Sequence, residues 1–236
     1  MHFARHALAA FVTLSAFQAQ AADLLTNGGF ETGDFTGWTA TLRPTSSGNI
    51  TVESGTTGPL SGLSNAGPSA GRFFALSDQN GPGTYALTQA FTVAAGTTSV
   101  TFNFDLFANN YAGNTIVDPI GLDHRGPPNQ HVRVDLLTGA AGAFDTGAGV
   151  ISNFYLGADA GVNPNPWTSY SFDLTALATP GGTYQIRFAE VDNQLFFNMG
   201  VDKVSINAAA IPEPGIYALM LAGLAGVGFV ARARRR

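Results

Sequence analysis

The sequence predicts an all-β chain: one two-sheet antiparallel β-sandwich, jelly-roll-like, with an N-terminal signal helix and one C-terminal transmembrane helix. Three observations predict it. Several runs alternate apolar and polar residues with a period of two, as half-buried strands do. Clusters of Gly, Pro, Asn and Ser break the chain between these runs at short spacing, the pattern of an all-β domain. The composition disfavours helices, since 236 residues hold 29 Gly, 12 Pro and 18 Phe and only 11% are charged. Hydrophobic residues at 45% supply a core, which excludes disorder as the main description.

Residues 1–21 carry Arg5, an apolar stretch from Ala7 to Phe17, and Ala19 and Ala21 in the small-residue pattern of a cleavage site. That pattern predicts a signal peptide. Residues 22–207, about 185, suit one domain with a sizeable core. In the run Ser99–Leu106, Val100, Phe102, Phe104 and Leu106 share one face of a strand. Val132, Val134 and Leu136 repeat the pattern, as do Tyr170, Phe172 and Leu174, and Tyr184, Ile186 and Phe188. Tyr85 and Leu87 open another run. Phe102, Phe104, Phe172, Ile186 and Phe188 are the expected core. Turn clusters at 46–49, 80–83, 95–97 and 179–182 separate the strands. Two long irregular stretches, 108–130 and 157–166, are expected to cover an edge or to form a binding surface.

Residues 208–214 read as a linker containing Pro212-Glu213-Pro214, and residues 215–231 as seventeen positions without a charge. As a helix this span is about 26 Å long, the short end of what a bilayer core requires. Arg232, Arg234, Arg235 and Arg236 follow, placing the C-terminus in the cytoplasm and the body outside it.

Charge is unevenly spread. From Ala22 to Ala210 six basic residues stand against fifteen acidic ones, so a nucleic acid is a poor partner for the body. Cysteine is absent, which excludes disulfides, zinc–thiolate sites and a thiol nucleophile.

Pro212-Glu213-Pro214, the Gly- and Ala-rich span and the terminal Arg cluster together resemble the PEP-CTERM sorting domain of Gram-negative bacteria, over residues 211–236. The resemblance implies an exported protein, held temporarily at the inner membrane. It further implies recognition by an exosortase-type membrane enzyme, cleavage near Pro-Glu-Pro, and delivery to the cell surface or extracellular matrix. Proteins carrying this domain are associated with exopolysaccharide production, so a polysaccharide is the implied partner. The opening Leu24-Leu25-Thr26-Asn27-Gly28-Gly29-Phe30-Glu31 with Gly37-Trp38, and the closing Asp202-Lys203-Val204-Ser205-Ile206, resemble galactose-binding-like and carbohydrate-binding-module jelly rolls. That resemblance implies adjacent first and last strands. It also implies a structural Ca²⁺ shared by Glu31, Asp202 and backbone oxygen near Gly29, an oxygen-rich set of the kind calcium takes.

Catalytic signals are sparse. His124 and His131 are the histidines of the mature chain, and with Asp118, Asp123 and Asp135 they form the candidate acid–base or metal group. No serine sits in a G-x-S-x-G elbow, and no phosphate-cradling glycine pattern appears. The aromatics Trp38, Tyr111, Tyr155, Trp167, Phe196 and Phe197 offer flat apolar faces against which sugar C–H groups pack. Asp192 and Asn193 stand just before the double Phe, so Tyr111, Asp192, Asn193, Phe196 and Phe197 are the candidate ligand-binding set. The expected function is non-enzymatic: carbohydrate binding or a structural role outside the cell. A calcium-stabilised adhesion or matrix protein without a sugar site is one alternative. A polysaccharide hydrolase working through the 108–131 loop is the other.

Overall fold

A computed structural model describes residues 21–112, 120–178, 180–209 and 214–234. The signal segment, Asp118, Pro212 and Glu213 lie outside these residues. The body, Ala21–Ile211, is one compact unit, and the C-terminal helix belongs to another.

Eleven strands build the described body: β1 Ala21–Asp23, β2 Thr39–Leu42, β3 Gly48–Glu53, β4 Phe74–Gln79, β5 Gly83–Val93, β6 Val100–Asn110, β7 His131–Thr138, β8 Val150–Gly157, β9 Thr168–Asp173, β10 Gly182–Asp192 and β11 Phe197–Ala209. A single helical turn, α1 (Thr175–Ala178), precedes β10. One sheet runs β3-β4-β11-β6-β9, with β1 added alongside the end of β11; the other runs β2-β5-β10-β7-β8. All pairings are antiparallel. The all-β, two-sheet sandwich expected from the alternation is therefore present.

The alternation builds the core. Val100, Phe102, Phe104 and Leu106 of β6 are buried, as are Ile186 and Phe188 of β10. Rings from the two sheets meet between them: Phe104 meets Phe188 edge-on at 5.3 Å, and Phe102 meets Phe154 at 5.4 Å. Edge-to-face pairs of this kind add about 0.5–1.5 kcal/mol beyond burial. Phe172 departs from expectation and is only partly buried, because β9 is an edge strand. Trp38 caps the other end of the core on Phe30, and its Nε1 donates to the Asn27 carbonyl at 3.1 Å.

Both outer sheet faces carry loops. Over the first sheet, Leu60 and Ser61 N–H donate to Asp78 Oδ2 at 2.6 and 3.0 Å. Trp167 Nε1 donates to the Gly67 carbonyl, and its ring packs on Phe74 and Phe107. Over the second sheet, the fully buried Arg187 donates to the carbonyls of Ala143 and Asp145. Its other nitrogens meet Asp135 Oδ2 at 3.0 and 2.5 Å, and Arg133 closes on the same carboxylate. Leu122 and Phe144 pack over Ala86, Ala189 and Val191 beside that trio.

β11 continues to Ala209, two residues into the segment that the sequence assigns to the linker. β1 likewise starts at Ala21, the last residue assigned to the signal peptide. The C-terminal helix α2 spans Pro214–Ala233 and opens on proline, whose missing N–H is no loss at the first helical position. Among the described residues no helix is long and apolar enough to cross a membrane.

Candidate functional site

The site lies at one end of the sandwich, where the chain crosses twice between sheets. The β4–β5 turn crosses there, and so does the β10–β11 turn. The antiparallel register sets Asp192 opposite Gly83, which brings the two turns side by side. Between them is a cavity of about 190 Å³ lined by residues 79–82 and 192–196. Its rim is apolar and exposed, with Leu195 at 58% and Phe196 at 38% accessible. Its base is polar and nearly buried: Gln79 is 1% accessible and Asp192 2%. Apart from the contact of the Gln79 amide with the Asp192 carboxyl, both amide atoms of Gln79 and Asp192 Oδ1 have no hydrogen-bond partner, an uncommon condition for buried polar atoms.

Acids surround this base. Burial pushes the Asp192 carboxyl up to about 8. Behind it on β10, Glu190 is raised well above the usual carboxylate range by burial, with Asp192 and Asp78 adding repulsion. Ser77 Oγ donates to Glu190 Oε2, while Oε1 has no partner. Tyr85 is raised by burial and by the charges of Glu190, Asp192 and Asp78. These groups favour their protonated, neutral forms because the interior solvates charge poorly.

Of the sequence-predicted ligand residues, Asp192, Asn193 and Phe196 line the cavity. Asn193 is already engaged. Its Nδ2 donates to the His124 and Pro127 carbonyls at 3.1 and 2.9 Å, and its Oδ1 accepts from Asn129 N at 2.8 Å. It braces the 124–129 loop against the β10–β11 turn. Tyr111 stands outside the cavity: its hydroxyl donates to the Ser64 carbonyl at 3.2 Å, and its N–H to Phe196 O at 3.0 Å. Phe197 is a correction. It is 0% accessible and packs in the core, because neighbouring strand residues face opposite ways and β11 begins there.

Gln79, Asn80, Gly81, Pro82, Gln194 and Leu195 complete the lining and were not anticipated. Residues 80–83 carry a turn signal, but only the pairing of β5 with β10 makes that turn a wall. The one sequence signal available was the exposed Gln-Leu-Phe run after a strand rich in buried residues.

Glu31, Gly29 and Asp202 meet just past β1, where residues 24–29 run beside β11. β1 pairs with the end of β11, and Leu24 N–H donates to Ile206 O at 2.8 Å. A Cβ on Gly28 would lie 1.7 Å from Val204 O, so only glycine allows this approach. One on Gly29 would lie 3.7 Å from Glu31 Cγ and 3.8 Å from Asp202 Oδ1, so both acids flank that glycine. One loop serves both carboxylates. Arg72 and Phe73 N–H donate to Glu31, and Ser69 and Ala70 N–H donate to Asp202 Oδ2. Burial raises the Asp202 carboxyl. Two carboxylates flanking one glycine suit a hard cation, although among the described residues no group of three or more His, Asp or Glu is placed to hold one.

The loop histidine group is internally bonded. His124 bridges Thr45 and Thr84 at 3.1 and 3.0 Å and is kept neutral by burial. Asp123 pairs with Arg125 at 2.8 Å, and Asp135 belongs to the Arg133–Arg187 cluster.

Fold and cavity together define a jelly-roll-like sandwich with an end-on pocket, carried ahead of a separate C-terminal segment. Residues 210–236 match the PEP-CTERM protein-sorting motif, which implies export and sorting to the surface. A search of curated proteins finds no match. Among solved structures, the carbohydrate-binding module TmCBM61 in complex with β-1,4-galactotriose is similar at TM-score 0.49 and 11% identity. That match covers 78% of this chain and 97% of the module. The K3 cleaved adhesin domain of Lys-gingipain from Porphyromonas gingivalis w83 matches at 0.49 and 17%, covering 78% and 98%. The Stig cyclase Fisc from Fischerella sp. TAU matches at 0.47 and 19%, covering 81% and 100%.

Proposed function

We propose that the chain is an exported, non-catalytic carbohydrate-binding protein of the cell surface or extracellular matrix. The observation that carries this reading is the cavity itself: an exposed Leu195–Phe196 rim over a buried Gln79–Asp192 base with unpartnered polar atoms. A sugar ring has both surfaces needed, C–H faces for the rim and hydroxyls for the base. Asp192 is the one carboxylate among the lining residues, whereas glycoside hydrolysis ordinarily uses two flanking the bond. This supports binding without catalysis. On this reading α2 holds the chain at the membrane until an exosortase-type enzyme acts at Pro212-Glu213-Pro214. Its exposed Leu221, Leu224, Phe229 and Val230 provide the apolar surface for that contact. Calcium between Glu31 and Asp202 would supply positive charge where the first strand meets the last.

Titration of oligosaccharides against the purified protein and a Phe196→Ala variant tests the site. Loss of the ring should weaken binding roughly 3- to 10-fold, the value of about 0.5–1.5 kcal/mol for an aromatic contact. Equal binding by both proteins would place the ligand elsewhere and sink this reading.

A further inference from the structure

Three features of the cavity base go beyond sugar binding in general. The residues that line the cavity include no Lys or Arg. The ionisable groups beside the base are acids and a phenol, Tyr85 of β5 and Glu190 and Asp192 of β10, with Asp78 of β4 adding its charge from the loop-covered outer face of the sheet. The polar atoms left without a partner there are mostly oxygens, namely Gln79 Oε1, Asp192 Oδ1, Glu190 Oε1 and the Tyr85 hydroxyl. Asp192 and Gln79 reach the cavity wall. The site has a nearly dry base of carboxyls that stay protonated while it is empty, and an aromatic lip.

From this geometry we infer that the cavity selects an amino sugar, a hexosamine whose free ammonium group points at Asp192. The inference rests on the carbohydrate-binding reading and narrows its substrate class. A uronic acid would bury its carboxylate where no cation offsets it, at a cost that grows as the local dielectric falls. A neutral hydroxyl satisfies an oxygen but compensates no charge. An ammonium group does both. It makes charge-assisted hydrogen bonds to Asp192 and Gln79 Oε1, which are roughly twice as strong as neutral ones. Acetylation removes the positive charge and adds bulk at the same nitrogen, so the N-acetyl sugar loses the contact that selects it. Proton balance supports the assignment: burial keeps the empty carboxyl protonated near neutrality, and a cation beside it favours the ionised form. Binding near pH 7 should therefore release protons to the buffer.

Calorimetric titration of the full-length protein with a β-1,4-linked glucosamine tetramer and with its N-acetylated counterpart tests the inference. The expected result is at least tenfold tighter binding of the free amine, with a heat that depends on the buffer's ionisation enthalpy. Asp192→Asn should abolish the preference for the free amine, bringing the two tetramers to equal affinity, and Phe196→Ala should weaken both ligands. The unfolding transition of each variant, recorded alongside, establishes that it is folded. Equal affinity for the two tetramers overturns the amino-sugar inference and leaves carbohydrate binding standing. A preference that survives Asp192→Asn overturns it too, since the acidic body as a whole then attracts a cationic chain. If neither these nor neutral and uronic oligosaccharides bind, the carbohydrate reading itself has failed.

Discussion

Replacing Asp192 with Asn should make the protein more stable at neutral pH and flatten its stability–pH profile. Asp192 has an ordinary carboxyl value of 3.8 and is pushed to about 8 by burial. The folded state therefore holds one more proton than the unfolded state between those limits. Its contribution to stability is full below pH 3.8 and is lost as pH rises toward 8, a slope of about −1.4 kcal/mol per pH unit. From pH 5 to pH 7 the wild type should lose about 3 kcal/mol through this group, a large share of an ordinary 5–15 kcal/mol. Asn keeps the shape and never ionises. Glu190 lies in the same surroundings with the same sign, so part of the slope remains in the variant. Against the penalty of its burial, Arg133 and Arg187 hold Asp135 below its ordinary value. Its contribution therefore changes only in acid, outside this window. The assay is urea unfolding of both proteins at pH 5, 6 and 7, with the difference in slope as the readout. Parallel curves, within about 0.5 kcal/mol over the two pH units, would falsify the account of a buried, proton-holding cavity base.

Asp135→Asn removes the shared partner of two buried guanidiniums. It should cost about 3–5 kcal/mol in chemical denaturation, because the remaining charges stay buried and unpaired; a loss below 1 kcal/mol would mean that solvent reaches them. Calcium, if held by Glu31 and Asp202, stabilises the folded state alone, by about 2.7 kcal/mol at a hundredfold excess over its Kd. Chelation should then lower the melting temperature of the parent and leave Glu31→Ala nearly unmoved, and an equal response in both removes the ion from this pair.

Period-two patterning reveals which residues face inward but not which strands become neighbours. Val100, Phe102, Phe104 and Leu106 were readable because one strand's alternation decides their burial. The doublet Phe196–Phe197 was readable only in part. The same alternation that buries one exposes the other, but the start of β11 decides which. Asn193 has the chemistry of a sugar ligand, yet its amide satisfies loop backbone groups that lie more than sixty residues away in sequence. Gln79 was invisible because a glutamine near the end of a strand carries no mark of the cavity that another turn closes above it. The neighbouring ends of the domain were legible, since the opening Asn-Gly-Gly-Phe-Glu runs beside the closing Asp-Lys-Val-Ser-Ile just past β1, where Val204 N–H donates to Gly28 O.

The length of β11 has a mechanical consequence. It begins at Phe197, beside the cavity, and ends at Ala209 where the sorting segment departs, thirteen residues or about 40 Å along the sandwich. A polymer gripped at the Phe196 rim and an attachment beyond Ala209 would pull this strand along its own axis. The ladders to β6, β4 and β1 lie across that axis. Force would thus load many interstrand bonds together, in shear, instead of peeling them one at a time.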